Sequence, residues 1–362
     1  MQKPTIRGAN PPSTPLIYDS VGVCAAEVQS VQGPQEVQSV QGLQEVQSVQ
    51  GLQEAQGPQE VQSVQGPQEV QEAQGNHEEV QTSKNPLIRG VNGGAAPRFL
   101  FLTFSGSGIR GIMYVGALYM LHKLKLLDIK GCAGSSFGGL AATMVVLGYS
   151  VDEMYSTLAK FDYSKLMDVK ILSAIDNLGL DSGLKIRKYL RGLFRRKSFS
   201  SRITFEELWQ RTGLELVIVT TCVSRRASCY MSHVHHGDTL VLDALSASMS
   251  IPWLFCPVII NDEMYVDGGL TDNFPVKAFE PHNSIALEIT TECTHTINDP
   301  MEYTAALVET VFRNNRSLAC GGWNGKIIQL FTCVSAGEFL LSKEQKLDLV
   351  RIGMATIEKH FT

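Results

Sequence analysis

Arg98-Phe99-Leu100-Phe101-Leu102-Thr103-Phe104-Ser105-Gly106-Ser107-Gly108-Ile109-Arg110-Gly111 is the stretch that decides the fold. Its first half is short, apolar and rich in aromatics, which reads as a buried strand. A Gly/Ser loop follows. From Ile112 to Lys125, Val115, Leu118, Met120, Leu121 and Leu124 fall at helical spacing. The pattern then repeats. A second strand is expected near Ile129 to Ala133, a second loop at Gly134-Ser135-Ser136-Phe137-Gly138-Gly139, and a second helix from Leu140 to Leu147. Strand, loop and helix repeated in this order predict an α/β fold with a mostly parallel sheet flanked by helices.

Downstream segments continue in kind. Thr204 and Glu207 form the sequence of a capping box. Leu214–Cys222 is β-branched, and Cys229–Val234 and Ile285–Ile289 are further strand candidates, while 301–319 and 342–360 read as helices. Upstream, residues 27–75 repeat a nine-residue unit, EVQSVQGPQ, with one copy shortened to six. The unit holds no aromatic residue and little large apolar surface, so it cannot offset its chain entropy. Residues 1–96 are therefore expected to be a disordered tail.

Charge follows the same boundary. Residues 1–95 hold four basic and ten acidic residues, while the remainder holds 27 and 26. The net charge of −5 excludes a generally basic nucleic-acid binder. Eight cysteines without a CxxC pair read as free thiols in a reducing compartment. No apolar leader and no stretch of about 18 apolar residues is present, so a cytoplasmic or peripheral-membrane protein is expected, neither secreted nor membrane-spanning.

Three elements carry chemistry. Gly106-x-Gly108-x-x-Gly111 matches a dinucleotide fingerprint, but that reading needs an acid at the end of the next strand, and Asp128 precedes that strand. The alternative is a cradle of backbone amides for a developing oxyanion. Gly134-Ser135-Ser136-Phe137-Gly138 is G-x-S-x-G, in which a sharp strand-to-helix turn presents Ser136 at a helix N-terminus. Asp267-Gly268-Gly269 follows a short apolar strand, and by itself Asp-Gly equally reads as a hairpin turn.

In this order, SGSGIRG, GSSFG and DGG resemble the motifs of the patatin-like phospholipase family, as do the flanking ITFEELWQRTG, LSASMSIPWLFCPV and MYVDGGLTDNFPV. The likeness covers roughly 97–290. It implies a three-layer sandwich with 97–290 as catalytic core and 291–362 as an extension packed on it. It also implies hydrolysis of lipid acyl esters at a membrane or droplet surface without metal or cofactor. Ser136 would be the nucleophile and Asp267 the general base, with Gly106, Ser107 and Gly108 as the oxyanion hole and Arg110 and Gly111 completing the loop. Ser107 stands where the family usually has glycine. A positive φ there would be strained by about 1 kcal/mol or more, which keeps open a catalytically silent protein of the same fold that binds lipid or a partner.

Two other histidine readings remain. A Ser–His–Asp triad would draw on His282 or His295. His233 and His235 on a strand would share one face, with His236 and Asp238 near, yet a metal site lacks a clear third ligand. Finally, residues 185–202 carry eight basic residues interleaved with Leu184, Leu190, Leu193, Phe194 and Phe199. This suggests peripheral contact with anionic lipid, or else a solvated helix face with its apolar side on the core.

Overall fold

The computed structural model describes residue 87 and residues 99–166, 177–291, 296–297, 300–335, 338 and 340–362. All of them belong to the compact unit Asn76–Thr362. The repeats lie outside the described residues. Leu87, upstream of the composition boundary, is buried in the main core.

The chain runs β1 (Phe99–Phe104), α1 (Met113–Lys123), β2 (Leu127–Ser135), α2 (Phe137–Val146), α3 (Val151–Leu158), α4 (Tyr163–Leu166) and β3 (Gly179–Asp181). It continues through α5 (Leu184–Arg196), α6 (Phe205–Thr212), β4 (Glu215–Cys222), β5 (Ala227–Met231), α7 (His233–His236) and α8 (Val241–Ser248). Then come β6 (Trp253–Phe255), β7 (Val258–Ile260), β8 (Glu263–Asp267), α9 (Gly269–Asp272), β9 (Ser284–Thr290), α10 (Pro300–Cys320), β10 (Lys326–Phe331) and α11 (Lys343–Phe361).

The main sheet is mixed, in the order β10-β9-β1-β2-β4-β8-β7, with β5 also on β4. The strands β10, β9, β1, β2 and β4 are parallel, as the repeated strand–helix units require, while β5 and β8 run antiparallel to β4, and β7 antiparallel to β8. One face packs on the large core of α1, α2 and their neighbours. The other holds a smaller layer of Ala133, Val217 and Phe279 with Phe101. The C-terminal segment is built into this body. Strand β10 extends the sheet, and the buried Lys346 of α11 donates to the carbonyls of Ala159 and Phe161 at 2.9 and 2.7 Å.

Strand β4 organises the site. Its residues 218–222 pair with β5, 215–219 with β2, and 220–222 with β8. Both β2 and β8 share paired residues with β5, so they lie together on the opposite edge of β4. They arrive from opposite directions and meet end to end, Ser135 beside Val219 and Asp267 beside Thr220.

Four expectations need correction. The strand over 229–234 ends at Met231, and His233 and His235 sit in the short helix α7, so they do not share a strand face. Asp267-Gly268 is not a hairpin turn, because Asp267 closes β8 and α9 begins at Gly269. Cys333 is disulfide-bonded, whereas Cys132, Cys222, Cys229, Cys256 and Cys320 are free. Ser107 takes a negative φ, −151°, and the left-handed residue of the loop is Gly108 at φ +55°. The positive φ expected to strain Ser107 is therefore not found there.

Candidate active site

The elbow forms because two backbones pass within contact distance at its glycines. A Cβ on Gly134 would overlap the backbone of Gly138, and one on Gly138 would overlap the carbonyls of Phe104 and Ser105. Between them Ser136 is held at φ 52°, ψ −125°, at the N-terminus of α2. Such a conformation costs roughly 1–3 kcal/mol for a non-glycine residue and is maintained by the packing around it. Ser248 adds a tether, accepting from the Ser136 N–H at 2.8 Å and donating to the Val219 carbonyl at 2.6 Å. Phe137 turns inward and packs edge-on against Phe161, while the Ser135 hydroxyl is buried without a partner.

Asp267 is fully buried. One carboxylate oxygen, Oδ1, accepts from the Gly269 N–H at 2.8 Å; the other, Oδ2, has no hydrogen-bond partner. Burial pushes its pKa up to about 7, against opposing contributions from the Ser136 hydroxyl and the Gly269 amide. The Ser136 hydroxyl thus acts on the carboxyl electrostatically, while Oδ2 accepts no hydrogen bond. Gly268 lets this turn approach β4, since a Cβ there would overlap the Val219 carbonyl and press on Ser135 Oγ.

The glycine loop is pinned by two side chains. Asn273 Nδ2 donates to the Gly106 carbonyl and Arg110 Nε to the Ser107 carbonyl, both at 3.0 Å. In a trans peptide the N–H points opposite to the C=O. The amides of Ser107 and Gly108 are thereby turned away from Asn273 and Arg110. Arg110 is itself buried and pairs with Glu309 of α10 at 3.3 Å; burial lowers its pKa, and Glu309 counters that. Gly111 does not face the cleft. It packs where a Cβ would meet the Phe137 ring.

Gly106, Ser107, Gly108, Arg110 and Ser136 line a cleft with about 830 Å³ of empty space, part of it open to solvent. The rest of its lining is mostly apolar, with Leu180, Ile251, Trp253 and Leu254 from in and around β3 and β6, and Ala305, Val308 and Phe312 from α10. A bound acyl chain would find few competing polar groups there. Asn273, Ser248 and Glu309 escape a reading of the sequence. Asn273 alone carries a local signal, six residues beyond Asp267 in the DGG segment.

Among the described residues the competing sites do not assemble. His282 lies beside Phe99, at the opposite end of the parallel strands from Ser136, and His295 is outside the described residues. No group of metal-ligating side chains occurs among the described residues. His233 instead stacks on Trp209, and His236 Nε2 lies 3.3 Å from Cys229 Sγ. No described helix is long and apolar enough to cross a membrane.

Residues 102–280 match the family model described as patatin-like phospholipase. A probable lipid hydrolase, 463L, of Invertebrate iridescent virus 6 is 31% identical over 186 residues, 50% of this chain and 64% of its own. An uncharacterized protein of Bacillus subtilis, YqhO, is 27% identical over 282 residues, 70% of this chain and 95% of its own. Lysophospholipase NTE1 of Meyerozyma guilliermondii is 26% identical over 182 residues, 48% of this chain but 11% of that relative. In fold, the chain is similar to the crystal structure of VipD from Legionella pneumophila, with TM-score 0.51 and 16% identity over 73% of this chain and 67% of the other.

Proposed function

Because the chain carries a patatin-like phospholipase domain at residues 102–280, we propose that it is a lipid acyl hydrolase acting through Ser136 and Asp267, on a phospholipid or related glycerolipid presented at a membrane or droplet surface. The observation that carries this reading is the buried carboxyl of Asp267, brought up to Ser136 by β2 and β8 meeting on one edge of β4, beside an apolar cleft.

The chemistry follows from that arrangement. The Asp267 carboxylate takes the Ser136 proton as Oγ attacks the acyl carbonyl. Negative charge develops on the carbonyl oxygen, and the Ser107 and Gly108 amides are the donors for it. Collapse of the intermediate expels the alcohol, which takes the proton from Asp267, and leaves the acyl group as an ester on Ser136. Water then repeats the steps, giving up its proton to Asp267 and releasing the fatty acid. A carboxyl of ordinary pKa is a poor base for an alcohol; one raised to about 7 is much better matched. No step calls on a metal or cofactor.

A second feature bears on the partner. Helix α5 buries Ile186, Leu190, Leu193 and Phe194 and exposes Lys188, Arg191 and Arg195 along one face. Arg187 and Lys197 pair inward, with Asp243 and Glu153. Peripheral contact with anionic lipid through 185–202 is therefore proposed for the exposed stripe alone.

The test is a panel of lipid esters offered to the native protein and to Ser136→Ala, alongside labelling by a fluorophosphonate. Hydrolysis and labelling by the native protein, both lost in Ser136→Ala, are expected. An equally active Ser136→Ala protein would end the assignment.

A further inference from the structure

Around the mouth of the cleft, large apolar side chains stand in water. Trp253 of β6 is 72% exposed and Leu178, just before β3, is 53% exposed. The two are neighbours, because Gly179 pairs with Trp253 in the small β3–β6 sheet. Both also hold left-handed backbone, φ 69° and 57°, a conformation that L-residues with bulky side chains rarely adopt. Nothing is gained from this within the protein, since neither side chain is buried.

Helix α10 repeats the feature. It turns Ala305, Val308 and Phe312 into the cleft. Tyr303, Leu307, Val311 and Leu318, spaced by four, four and seven, form a second stripe on the same helix. Tyr303 and Leu307 are 55% and 52% exposed. Helix α10 is thus apolar on two adjoining faces, one toward the cleft and one toward solvent.

We infer that Leu178 and Trp253 by the β3–β6 sheet, and Tyr303, Leu307 and Val311 on α10, form an interfacial rim that inserts into the surface of a lipid aggregate and joins the cleft to the acyl phase. The occupant is the lipid surface itself. The exposed apolar surface is continuous with an apolar cleft, and a protein partner seated across both walls would close the way to Ser136. With the rim inserted, an acyl chain passes from lipid to cleft without exposing its methylenes to water. Isolated exposed apolar residues need no explanation, but a set ringing one opening does. The inference rests on the lipid-hydrolase reading, which supplies the acyl substrate.

The experiment uses the full chain and the double variant Leu178→Ser/Leu307→Ser, neither residue lining the cleft. Flotation with phosphatidylcholine vesicles, with and without about one-third phosphatidylserine, measures binding; hydrolysis of a monomeric short-chain ester and the thermal unfolding midpoint report the site and the fold. The native protein should float with both vesicle types, and the variant should bind at least about tenfold more weakly, with its short-chain rate and unfolding midpoint unchanged. Undiminished binding of the variant to neutral vesicles would overturn the inference. So would binding by the native protein only to vesicles with phosphatidylserine and undiminished in the variant, which would point to the basic stripe of α5, or an equal loss of short-chain activity, which would make the rim part of the scaffold. A native protein that floats but hydrolyses no ester would refute the enzymatic reading and leave the rim standing.

Discussion

Replacing Asp267 by Asn should make the protein more stable in mild alkali while removing its chemistry. The carboxyl is fully buried, and its pKa is raised from 3.8 to about 7, chiefly by that burial. The difference corresponds to ~4 kcal/mol of free energy charged against the ionised form. An Asn carbonyl can still accept from Gly269, and its uncharged amide replaces Oδ2, which accepts no hydrogen bond. The sign follows from linkage. With the folded pKa above the unfolded one, the unfolded chain gives up the proton first. The contribution to native stability is full below about pH 4 and lost as the pH rises through about 7. An uncharged amide at this position suffers no such loss. The stability of Asp267→Asn relative to native should therefore grow by ~2–3 kcal/mol between about pH 5 and about pH 8. For a domain of this size that is roughly 5–10 °C in Tm. Urea or thermal unfolding of both proteins at the two pH values measures it. Ester hydrolysis should meanwhile fall by about 10²–10⁴-fold. A stability gap that stays constant with pH, or that narrows as the pH rises, would refute a buried carboxyl beside the nucleophile.

Three further outcomes are expected. In the native protein kcat/KM should rise with pH through about 7 and then level, because only the Asp267 carboxylate can accept the Ser136 proton; a profile flat from about pH 5 to 9 would contradict this. Asn273→Ala frees the Gly106 carbonyl, so kcat should drop by about 10- to 100-fold with KM and the pH midpoint little changed; a loss confined to KM would argue against a positioning role. Gly134→Ala sets a methyl group against the Gly138 backbone, so the elbow must open, costing about 1–3 kcal/mol by thermal unfolding and most of the activity.

Much of the fold is legible because local signals agree with the global arrangement. The apolar run at 99–104 and the β-branched run at 215–222 become central parallel strands. The Thr204/Glu207 capping box starts α6 with both of its hydrogen bonds. G-x-S-x-G can be read because the glycines forced by close backbone contact leave a short-range trace. What stays hidden depends on contacts between distant segments. Arg110 meets Glu309 across 199 positions, and nothing local marks Glu309. Ser107 reads as strained because sequence does not reveal which loop residue takes the left-handed turn; it falls on Gly108. The His-x-His pair reads as strand since β5 runs up to it, but the strand stops at Met231. Asp267-Gly268 carries a hairpin signature, yet the chain instead enters α9, with Asp267 Oδ1 taking the Gly269 N–H.

The end-to-end meeting of β2 and β8 makes β4 the gauge of this protein. Ser135, next to the proposed nucleophile Ser136, and the proposed base Asp267 pair with Val219 and Thr220, a single step apart on a strand that contributes neither of them. Of the 130 residues between Ser136 and Asp267, those outside β4 can lengthen, shorten or diverge while that step stays the same. An insertion within β4 is another matter. One extra residue between 219 and 220 would move one partner by about 3.3 Å and turn the following side chains to the opposite face. Tolerance to change should thus be broad in the connecting segments and abruptly narrow along a few residues of one silent strand.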